Sequence, residues 1–366
     1  MTLLKNILFS ILFLLTYSTQ IFASNPFSAT VTNTTDLKNT NQEVVGQWLE
    51  LKQNKTAETI FVKNEFQPMF KNLSYKRGEN LLLEQDENSK EYIITDYYRQ
   101  GSLNVLFIIF VLVVLVIGKF YGLSSLLGMA VSLIIILKII LPQIYHGANP
   151  ITVVLLASII LIPLTFYLSH GINTKTNIAI AGTFVSAFIT GFLAFIFTHL
   201  AHLNGFGSEE ASFLDIAKGG SLNIQSLLIA GIIIGSIGIL DDVSVSQVSV
   251  VKELKQANPK LKLFDLYTRS MSVGRDHVAS MVNTLFLVYT GAALPLMLLF
   301  VDNSASFTQI INTEMIAEEV VRTLVASIGL ILAVPITTIV AANYYSQAKS
   351  EILYNQENSP SHNHKH

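Results

Sequence analysis

Long apolar segments dominate this chain after residue 100, and one of them contains two adjacent aspartates. Each segment is close to the ~20 apolar residues that a helix needs to cross a bilayer. Overall, 51% of the residues are hydrophobic and only 13% are charged, whereas soluble domains carry about a quarter charged residues. An integral membrane protein is therefore predicted. The fifth segment carries Asp241 and Asp242 before the next basic residue, Lys252.

The apolar segments predict an all-α polytopic domain of about seven transmembrane helices over residues 101–345. The expected spans lie near residues 103–119, 123–141, 151–169, 178–200, 222–240 with an extension, 277–301 and 320–344. Loops rich in Lys and Arg stay on the cytoplasmic side of a membrane. In the predicted topology, the connections that carry basic residues fall on one side of the membrane, and the nearly uncharged loops at residues 146 and 302 fall on the other. The basic residues are Lys175, Lys252, Lys255, Lys260, Lys262, Arg269, Arg275, Lys349 and Lys365. The N-terminal region is thus expected outside, and the tail over 346–366 in the cytoplasm.

The first hundred residues differ from the rest in composition. Residues 1–23 have a lysine, a short apolar run and a small residue at the end, which is typical of a secretory signal peptide, with an uncleaved anchor as the open alternative. Residues 24–41 are rich in Thr and Asn and predict a flexible leader. Short runs with β propensity, at 44–51, 59–62, 80–84 and 91–97, predict a small β-rich extracytoplasmic domain over 42–100, with a hairpin between the last two runs.

Small and polar residues recur along one face of the fifth span. At helical spacing this face carries, in order, Gly231, Gly235, Gly238, Asp242, Ser246 and Ser249. Glycines at this spacing let another helix approach closely, and a carboxylate on the same face should point away from lipid. We therefore expect the glycines to pack against a helix and Asp242 to face the interior of the bundle.

The sixth span carries a second polar face. Asp276, Ser280 and Asn283 share it, with His277 and Thr284 beside it. Such groups usually form hydrogen bonds between helices. A second interpretation joins this face to Asp241 and Asp242 as a polar path for an ion or substrate between the fifth and sixth spans, as transporters build near their midplane. Arg269 and Arg275, at its cytoplasmic end, and His277 would then be candidate charge partners, and both interpretations stay open.

Several classes of function lack their sequence signals. The chain has no cysteine and a net charge of −2, so thiol chemistry and nucleic-acid binding are not expected. Adjacent aspartates on one helix point about 100° apart, which does not suit an aspartyl protease. No nucleotide-binding motif occurs. We therefore expect no enzymatic activity, no cofactor and no metal site. Near the seventh span, Glu318 and Glu319 precede Arg322 by one turn and predict a local ion pair.

Several motifs carry a resemblance to a known family. GSIGILDDVSVSQVSVVKEL at 235–254, VGRDHVASMVNTL at 273–285 and VVRTLVASIGLILAVPITT at 320–338 resemble the YibE/F family of bacterial multi-pass membrane proteins. The resemblance implies a polytopic fold in the bacterial cell membrane. It implies no established reaction, and it is the acidic and polar faces expected inside the bundle that favour a transporter or exporter component. The alternative is a non-transporting assembly or envelope protein that acts through its external domain. Expected partners are the lipid bilayer, an ion or small-molecule substrate, and a second copy or another membrane protein.

Overall fold

The chain folds into a β unit and a helical unit. The computed structural model describes residues 26–40, 42–66, 74–86, 91–301 and 306–347, and it divides into compact units over 1–117 and 118–366. The signal peptide and most of the tail, which were predicted at 1–23 and 346–366, lie outside the described residues.

Five antiparallel strands form the β unit. They are β1 Phe27–Lys38, β2 Val44–Gln53, β3 Thr59–Glu65, β4 Asn80–Gln85 and β5 Tyr92–Tyr97. The sheet order is β3-β2-β1-β4-β5. The two outer strands, β3 and β5, also contact each other, so the sheet curls into a half-barrel. Strands β2 to β5 coincide with the four predicted runs, and β4 and β5 pair as predicted, although residues 87–90 of the connection lie outside the described part.

The prediction of a flexible leader at 24–41 is wrong, because β1 occupies most of it. This strand pairs with β2 on one side and β4 on the other, so it is the central strand of the sheet. Its Thr-rich composition suits an extended backbone because β-branched side chains favour strands. Ala29 and Val31 alternate into the core and are almost completely buried. The β-rich region therefore begins at Phe27.

A period of two organises the core of the β unit. Leu49 and Leu51 of β2 and Leu81 and Leu83 of β4 are fully buried. Their neighbours in sequence point to the other face, as successive side chains on a strand must. Trp48 is accordingly 45% exposed.

The helical unit contains long apolar helices joined by short connections, and the first of these helices begins within residues 1–117 of the first unit. The helices are α1 Gln100–Ile135, α2 Leu141–Tyr145, α3 Pro150–His170, α4 Thr174–Leu200, α5 Glu209–Ala217, α6 Ile224–Ala257, α7 Leu263–Ala292, α8 Leu294–Val301, α9 Phe307–Ile311 and α10 Glu314–Gln347. A π-helical turn at Ile136–Ile140 joins α1 to α2. Within the described residues, five helical stretches are long and apolar enough to cross a membrane: Gln100–Tyr145, α3, α4, α6 and α10.

These five stretches do not confirm the predicted count of seven spans. The first two predicted spans fall in the single 46-residue stretch Gln100–Tyr145, whose backbone is non-helical at Lys119, with φ 49° and ψ −126°. The predicted sixth span is divided between α7 and α8, which are separated at Ala293. The first half of α7 is charged, as Asp265 and Arg269 illustrate, and this lowers its mean hydropathy.

Close contacts between small residues hold α4 and α10 together. A Cβ atom at Gly182 would overlap Thr337, and a Cβ atom at Gly329 would overlap Thr190. Each helix thus offers one glycine and one threonine, in reciprocal positions of an antiparallel pair. Ser186 lies between these two contacts on α4 and is fully buried. Close approach through small residues is the usual basis of helix packing in lipid.

A break in the helical backbone near Pro259 separates two long helices. Helix α6 ends at Ala257 and α7 begins at Leu263. Lys255 closes the connection, since its Nζ donates to the carbonyl oxygens of Pro259 at 2.8 Å and Leu261 at 2.9 Å. A lysine at a helix C-terminus satisfies carbonyl groups that the helix leaves unpaired.

Candidate functional site

The glycine and acidic face of α6 lies on the outside of the helical unit. Gly231, Gly235, Gly238, Asp242 and Ser246 are all exposed. A Cβ atom at Gly231 or Gly238 would meet no atom within 4 Å in the described structure. The described structure therefore gives no support to close helix packing at these glycines or to an interior position for Asp242, and Gly231 and Gly238 instead line clefts between helices.

The buried face of α6 lies on the opposite side of the helix. It includes Leu240, Val243, Ser244 and Gln247, and α6 packs chiefly on α4 and α10. Ser249 is half-buried, and its Oγ donates to the Val245 carbonyl oxygen of the same helix at 2.7 Å. The faces are reversed because lipid is as apolar as the protein interior, so apolar residues can lie on either side of a helix.

The polar face of α7 also points outward. This helix packs on α10 through a face whose buried residues are Leu266, Ser270, Gly274 and Leu285. The predicted path residues Asp276, Ser280, Asn283 and Thr284 are exposed, as are Arg269 and Arg275, while His277 is half-buried. These positions give no support to a polar path between the fifth and sixth predicted spans.

The bonds of individual side chains on α7 agree with this outward orientation. The Nε atom of Arg275 donates to the carbonyl oxygen of Met271, on its own helix, at 3.3 Å. The Thr284 hydroxyl donates to the Ser280 carbonyl oxygen at 3.0 Å. Both groups thus bond within α7 instead of bridging to the aspartates of α6.

Asp241, the other member of the acidic pair, is the one that turns inward. Its side chain is 25% exposed, and its Oδ1 atom is buried without a hydrogen-bond partner in the described part of the chain. The nearest cationic candidate is His170, the last residue of α3, whose Nε2 atom lies 4.0 Å from that oxygen. A buried carboxylate oxygen without a donor is costly unless a proton, water or cation satisfies it.

Asp241 lines a cavity of about 160 Å³ between α6, α3 and the end of α1. Three hydroxyl groups share the wall, and each donates its proton to a carbonyl oxygen of its own helix. Ser132 bonds to Gly128 at 2.9 Å, Ser158 to Leu155 at 2.7 Å and Thr165 to Leu161 at 2.9 Å. Because a hydroxyl has one proton and two lone pairs, these oxygens offer only acceptor positions to the cavity. The other lining residues are apolar or glycine, so the Asp241 carboxylate and these three acceptors are the groups that could bind a proton or a small cation.

A buried polar cluster joins α6, α7 and α10, and sequence reasoning did not identify it. The amide of Gln247 donates to the Thr338 hydroxyl at 2.7 Å and to the Ser270 carbonyl oxygen at 3.1 Å. Thr337 donates to the Ser244 hydroxyl at 3.4 Å. The available signal was an amide side chain within an otherwise uncharged segment, which usually marks a hydrogen bond between helices.

A second unanticipated arrangement ties the chain after α4 to the start of α10. Glu314 Oε1 accepts from the backbone N–H groups of Asn204 at 2.5 Å and Gly205 at 3.1 Å. Glu318, only 5% exposed, accepts from the N–H of Gly207 at 2.9 Å. Of the predicted ion pairs to Arg322, the described residues contain the one from Glu319, at 3.6 Å.

The described residues contain no group of three or more His, Asp or Glu side chains placed to hold a metal ion.

The family model of YibE/F-like proteins matches residues 106–347, which include every candidate site residue above. The chain belongs to the YibE/F-like family. No curated protein and no solved structure matches it significantly. The strands of the β unit lie outside the match, so family membership characterises the helical unit.

Proposed function

We propose that this YibE/F-like protein is a membrane transporter or exporter component, not an enzyme, and that Asp241 binds the coupling ion. The observation that carries the proposal is the buried Oδ1 atom of Asp241, which has no partner in the described part of the chain. An ionisable residue among membrane helices is rare because it is costly, and it usually serves an ion pathway. The coupling ion is a proton or a small monovalent cation.

Protonation of His170 would give the site two alternating states. A protonated imidazole 4.0 Å from Asp241 would compete with a cation for the carboxylate, because like charges repel at that distance. A neutral imidazole would leave the carboxylate free to accept the ion. Binding of the ion and protonation of His170 are therefore expected to exclude each other, which is a simple basis for coupling.

We further propose the orientation predicted by the basic residues, with the β unit outside and the C-terminus in the cytoplasm. The stretch Gln100–Tyr145 has 46 residues, and at about 1.5 Å per residue it is roughly 70 Å long, more than twice the ~30 Å core of a bilayer. It can therefore supply two spans divided at Lys119, and α7 with α8 would supply the sixth of the seven spans.

Accessibility labelling tests this topology. The natural chain has no cysteine, so single cysteines introduced at Lys260 and at Glu209 should be labelled from opposite sides of the membrane. Labelling of both from the same side would reject this topology.

Adjacent aspartates with different environments provide a matched test of the transport proposal. Proteoliposomes containing the wild type, Asp241→Asn or Asp242→Asn are assayed for uptake from a pool of labelled metabolites and ions, with and without a pH gradient. We expect Asp241→Asn to fold normally and to lose gradient-driven flux at least about tenfold, the effect of removing an ion-binding charge. Asp242→Asn should keep most of the flux because that side chain is exposed.

Two results would count against Asp241 as the ion site. Full gradient-driven flux in Asp241→Asn would remove it from the mechanism. Equal losses in both variants, with equal losses of folded protein, would indicate that the pair only stabilises α6. Absence of any protein-dependent flux in the wild type would reject transport altogether.

The second candidate function is envelope assembly through the β unit. The specific observation in its favour is a pair of exposed aromatic residues on neighbouring strands, Trp48 at 45% and Phe61 at 68% exposure. Exposed aromatic side chains are common anchors of protein interfaces. Under this hypothesis the double variant Trp48→Ala/Phe61→Ala loses function in cells while Asp241→Asn keeps it. The reverse pattern would support transport.

A further inference from the structure

A second and larger cleft lies at the other end of the helical unit, where α6 and α10 begin. Its volume is about 740 Å³, and it shares no lining residue with the Asp241 cavity. Four parts of the chain surround it: the segment 205–211, the first turns of α6, the junction of α7 with α8, and the first turns of α10. Ligand sites of membrane and soluble bundles commonly lie between helices in this way.

The walls of this cleft have two different chemical characters. One wall is apolar and includes Ile224, Leu227 and Leu228 of α6 and Leu296 of α8. The other wall is acidic, with Glu209 and Glu210 of α5 and Glu318 and Glu319 of α10. A ligand that contacts both walls needs an apolar body and a positive charge.

The carboxylates on the acidic wall are only partly compensated. Arg322 pairs with Glu319 at 3.6 Å, which leaves Glu209, Glu210 and Glu318 facing a cleft with a single guanidinium among its lining residues. The Nε atom of Arg322 is itself buried without an acceptor in the described ranges. An oxygen atom on a ligand would satisfy that donor.

Glu318 is buried and held in a fixed position on the acidic wall. Its side chain is almost completely buried yet lines the cleft, and a backbone N–H of Gly207 holds it in place. A Cβ atom at Gly207 would lie 2.6 Å from the carboxyl carbon of Glu318, so a larger residue there would displace the carboxylate from this position. A buried carboxylate is costly unless a cation pairs with it.

We propose that this cleft binds an organic cation, specifically an ammonium compound with an apolar body and an oxygen near its charge. The apolar body lies against α6 and α8, and the charge lies among Glu209, Glu210 and Glu318. The proposal concerns equilibrium binding and is independent of whether Asp241 couples transport to an ion. A soluble amine and the amine headgroup of a lipid share this chemistry.

The test uses two probes of equal shape and opposite charge. Tetraphenylphosphonium is an apolar cation, and tetraphenylborate is the corresponding anion. Binding of each to the full-length protein is measured by equilibrium dialysis in nanodiscs of phosphatidylglycerol, a lipid without an ammonium group, with empty nanodiscs subtracted. We expect saturable binding of the cation only, and no saturable binding of the anion.

Matched variants locate the binding. Glu318→Gln keeps an acceptor for the Gly207 N–H but removes the charge, and we expect its affinity for the cation to fall about tenfold. The triple variant Glu209→Gln/Glu210→Gln/Glu318→Gln should show no saturable binding. Glu314→Gln is the control, because Glu314 makes the same kind of bond one turn away but does not line the cleft, and its affinity should stay within about twofold.

Lipid composition then distinguishes the two sources of the ammonium group. Competition by added phosphatidylethanolamine would identify a lipid amine as the occupant, and unchanged binding would identify a soluble cation; each result supports the ammonium site. Saturable binding of tetraphenylborate, or undiminished binding of the cation by a folded triple variant, would overturn the proposal.

Discussion

The interiors of the β unit and the helical unit are built from different side chains. In the β unit the core consists of Ala29, Val31, Leu49, Leu51, Ile60, Val62, Tyr75, Leu81 and Leu83, and most of its side-chain hydrogen bonds lie at the surface. In the helical unit the buried residues include Thr183, Ser186, Thr190, Ser236, Ser244 and Gln247, whereas large apolar residues such as Phe188 and Phe192 are exposed. The helical unit thus keeps polar groups among the apolar residues of its interior and has large apolar residues on its outside, whereas the core of the β unit is almost entirely apolar.

This difference follows from the solvent of each unit. Water drives apolar side chains into the core of the β unit, at roughly 25 cal/mol per Å² of apolar surface buried. Lipid supplies no comparable force between helices, so close contacts of small residues and hydrogen bonds between helices hold the helical unit together. The stability of the helical unit should therefore depend most on side-chain volume at the contacts between helices. The stability of the β unit should depend most on the apolar surface that its core buries.

The largest expected effect comes from adding volume at a glycine contact of the helical unit. Gly329→Leu places a side chain where Thr190 already lies; overpacking typically costs about 1–3 kcal/mol and occasionally more, and we expect this variant to exceed that range because the whole contact between α4 and α10 must separate. We expect little monodisperse protein after solubilisation, measured by size-exclusion chromatography after heating. The control is Gly238→Leu, since no atom lies within 4 Å of a Cβ there in the described structure.

The control also tests the corrected orientation of α6. If Gly238→Leu destabilises the purified protein as much as Gly329→Leu does, the glycine face of α6 is packed against another helix after all, as the sequence pattern had suggested. A melting temperature within about 2 °C of the wild type would agree with an outward face.

A smaller effect is expected from removing apolar area in the β unit. Leu49→Ala empties a fully buried position, and such changes cost about 2–5 kcal/mol. Trp48 is the single tryptophan of the chain, so its fluorescence reports unfolding of the β unit within the intact protein. We expect the fluorescence transition to move to lower temperature while the helical transition, followed by circular dichroism at 222 nm, stays in place.

Phe61→Ala is the matched control for Leu49→Ala, because Phe61 is an exposed residue of the neighbouring strand. Its transition should move by no more than about 1–2 °C. A shift as large as that of Leu49→Ala would mean that Phe61 is covered in the intact protein, and the comparison of the two units would need revision.

The two solvents also explain which features could be predicted from sequence. In the β unit, short runs with β propensity marked β2 to β5, because residues that favour strands are concentrated in them. Strand β1 was missed because its Thr and Asn content resembles a linker. The alternation of Ala29 and Val31 was a usable signal, and the β-branched threonines of the strand, such as Thr30 and Thr32, were another.

In the helical unit, sequence patterns located the helices but not their faces. Asp241 and Asp242 differ by about 100° around α6, and nothing local indicates which of them meets the protein. That choice depends on where α3, α4 and α10 pack, and the nearest partner of Asp241 is His170, at the end of a different helix. The Gly207–Glu318 contact similarly joins distant parts of the chain, so no local periodicity predicts it.

The smallest expected effect concerns an exposed charge pair at the end of the β unit. Asp96 Oδ2 lies 2.5 Å from Arg99 Nη1, and the N–H of Tyr97 donates to the other carboxyl oxygen at 2.7 Å. The hydrogen bond from Arg99, followed by that from Tyr97, holds the pKa of Asp96 below its usual value. Stabilisation from a lowered carboxyl pKa is present above the unfolded-state pKa of about 3.9 and disappears as the pH falls through the lowered folded-state pKa.

Arg99→Gln should therefore lower the Trp48 fluorescence transition slightly at pH 7, by about 1 °C, because exposed ion pairs contribute little. The difference from the wild type should shrink between about pH 4 and pH 2, as Asp96 becomes protonated in both proteins. Lys38→Gln removes an exposed positive charge from the same sheet and is the control, with no such convergence expected. If the effect of Arg99→Gln is instead as large as that of Leu49→Ala and independent of pH, this end of the β unit is stabilised by packing around Arg99 and not by its charge. In that case the polar surface at this end of the β unit would contribute as much to stability as the apolar core does, and the comparison drawn above would not hold there.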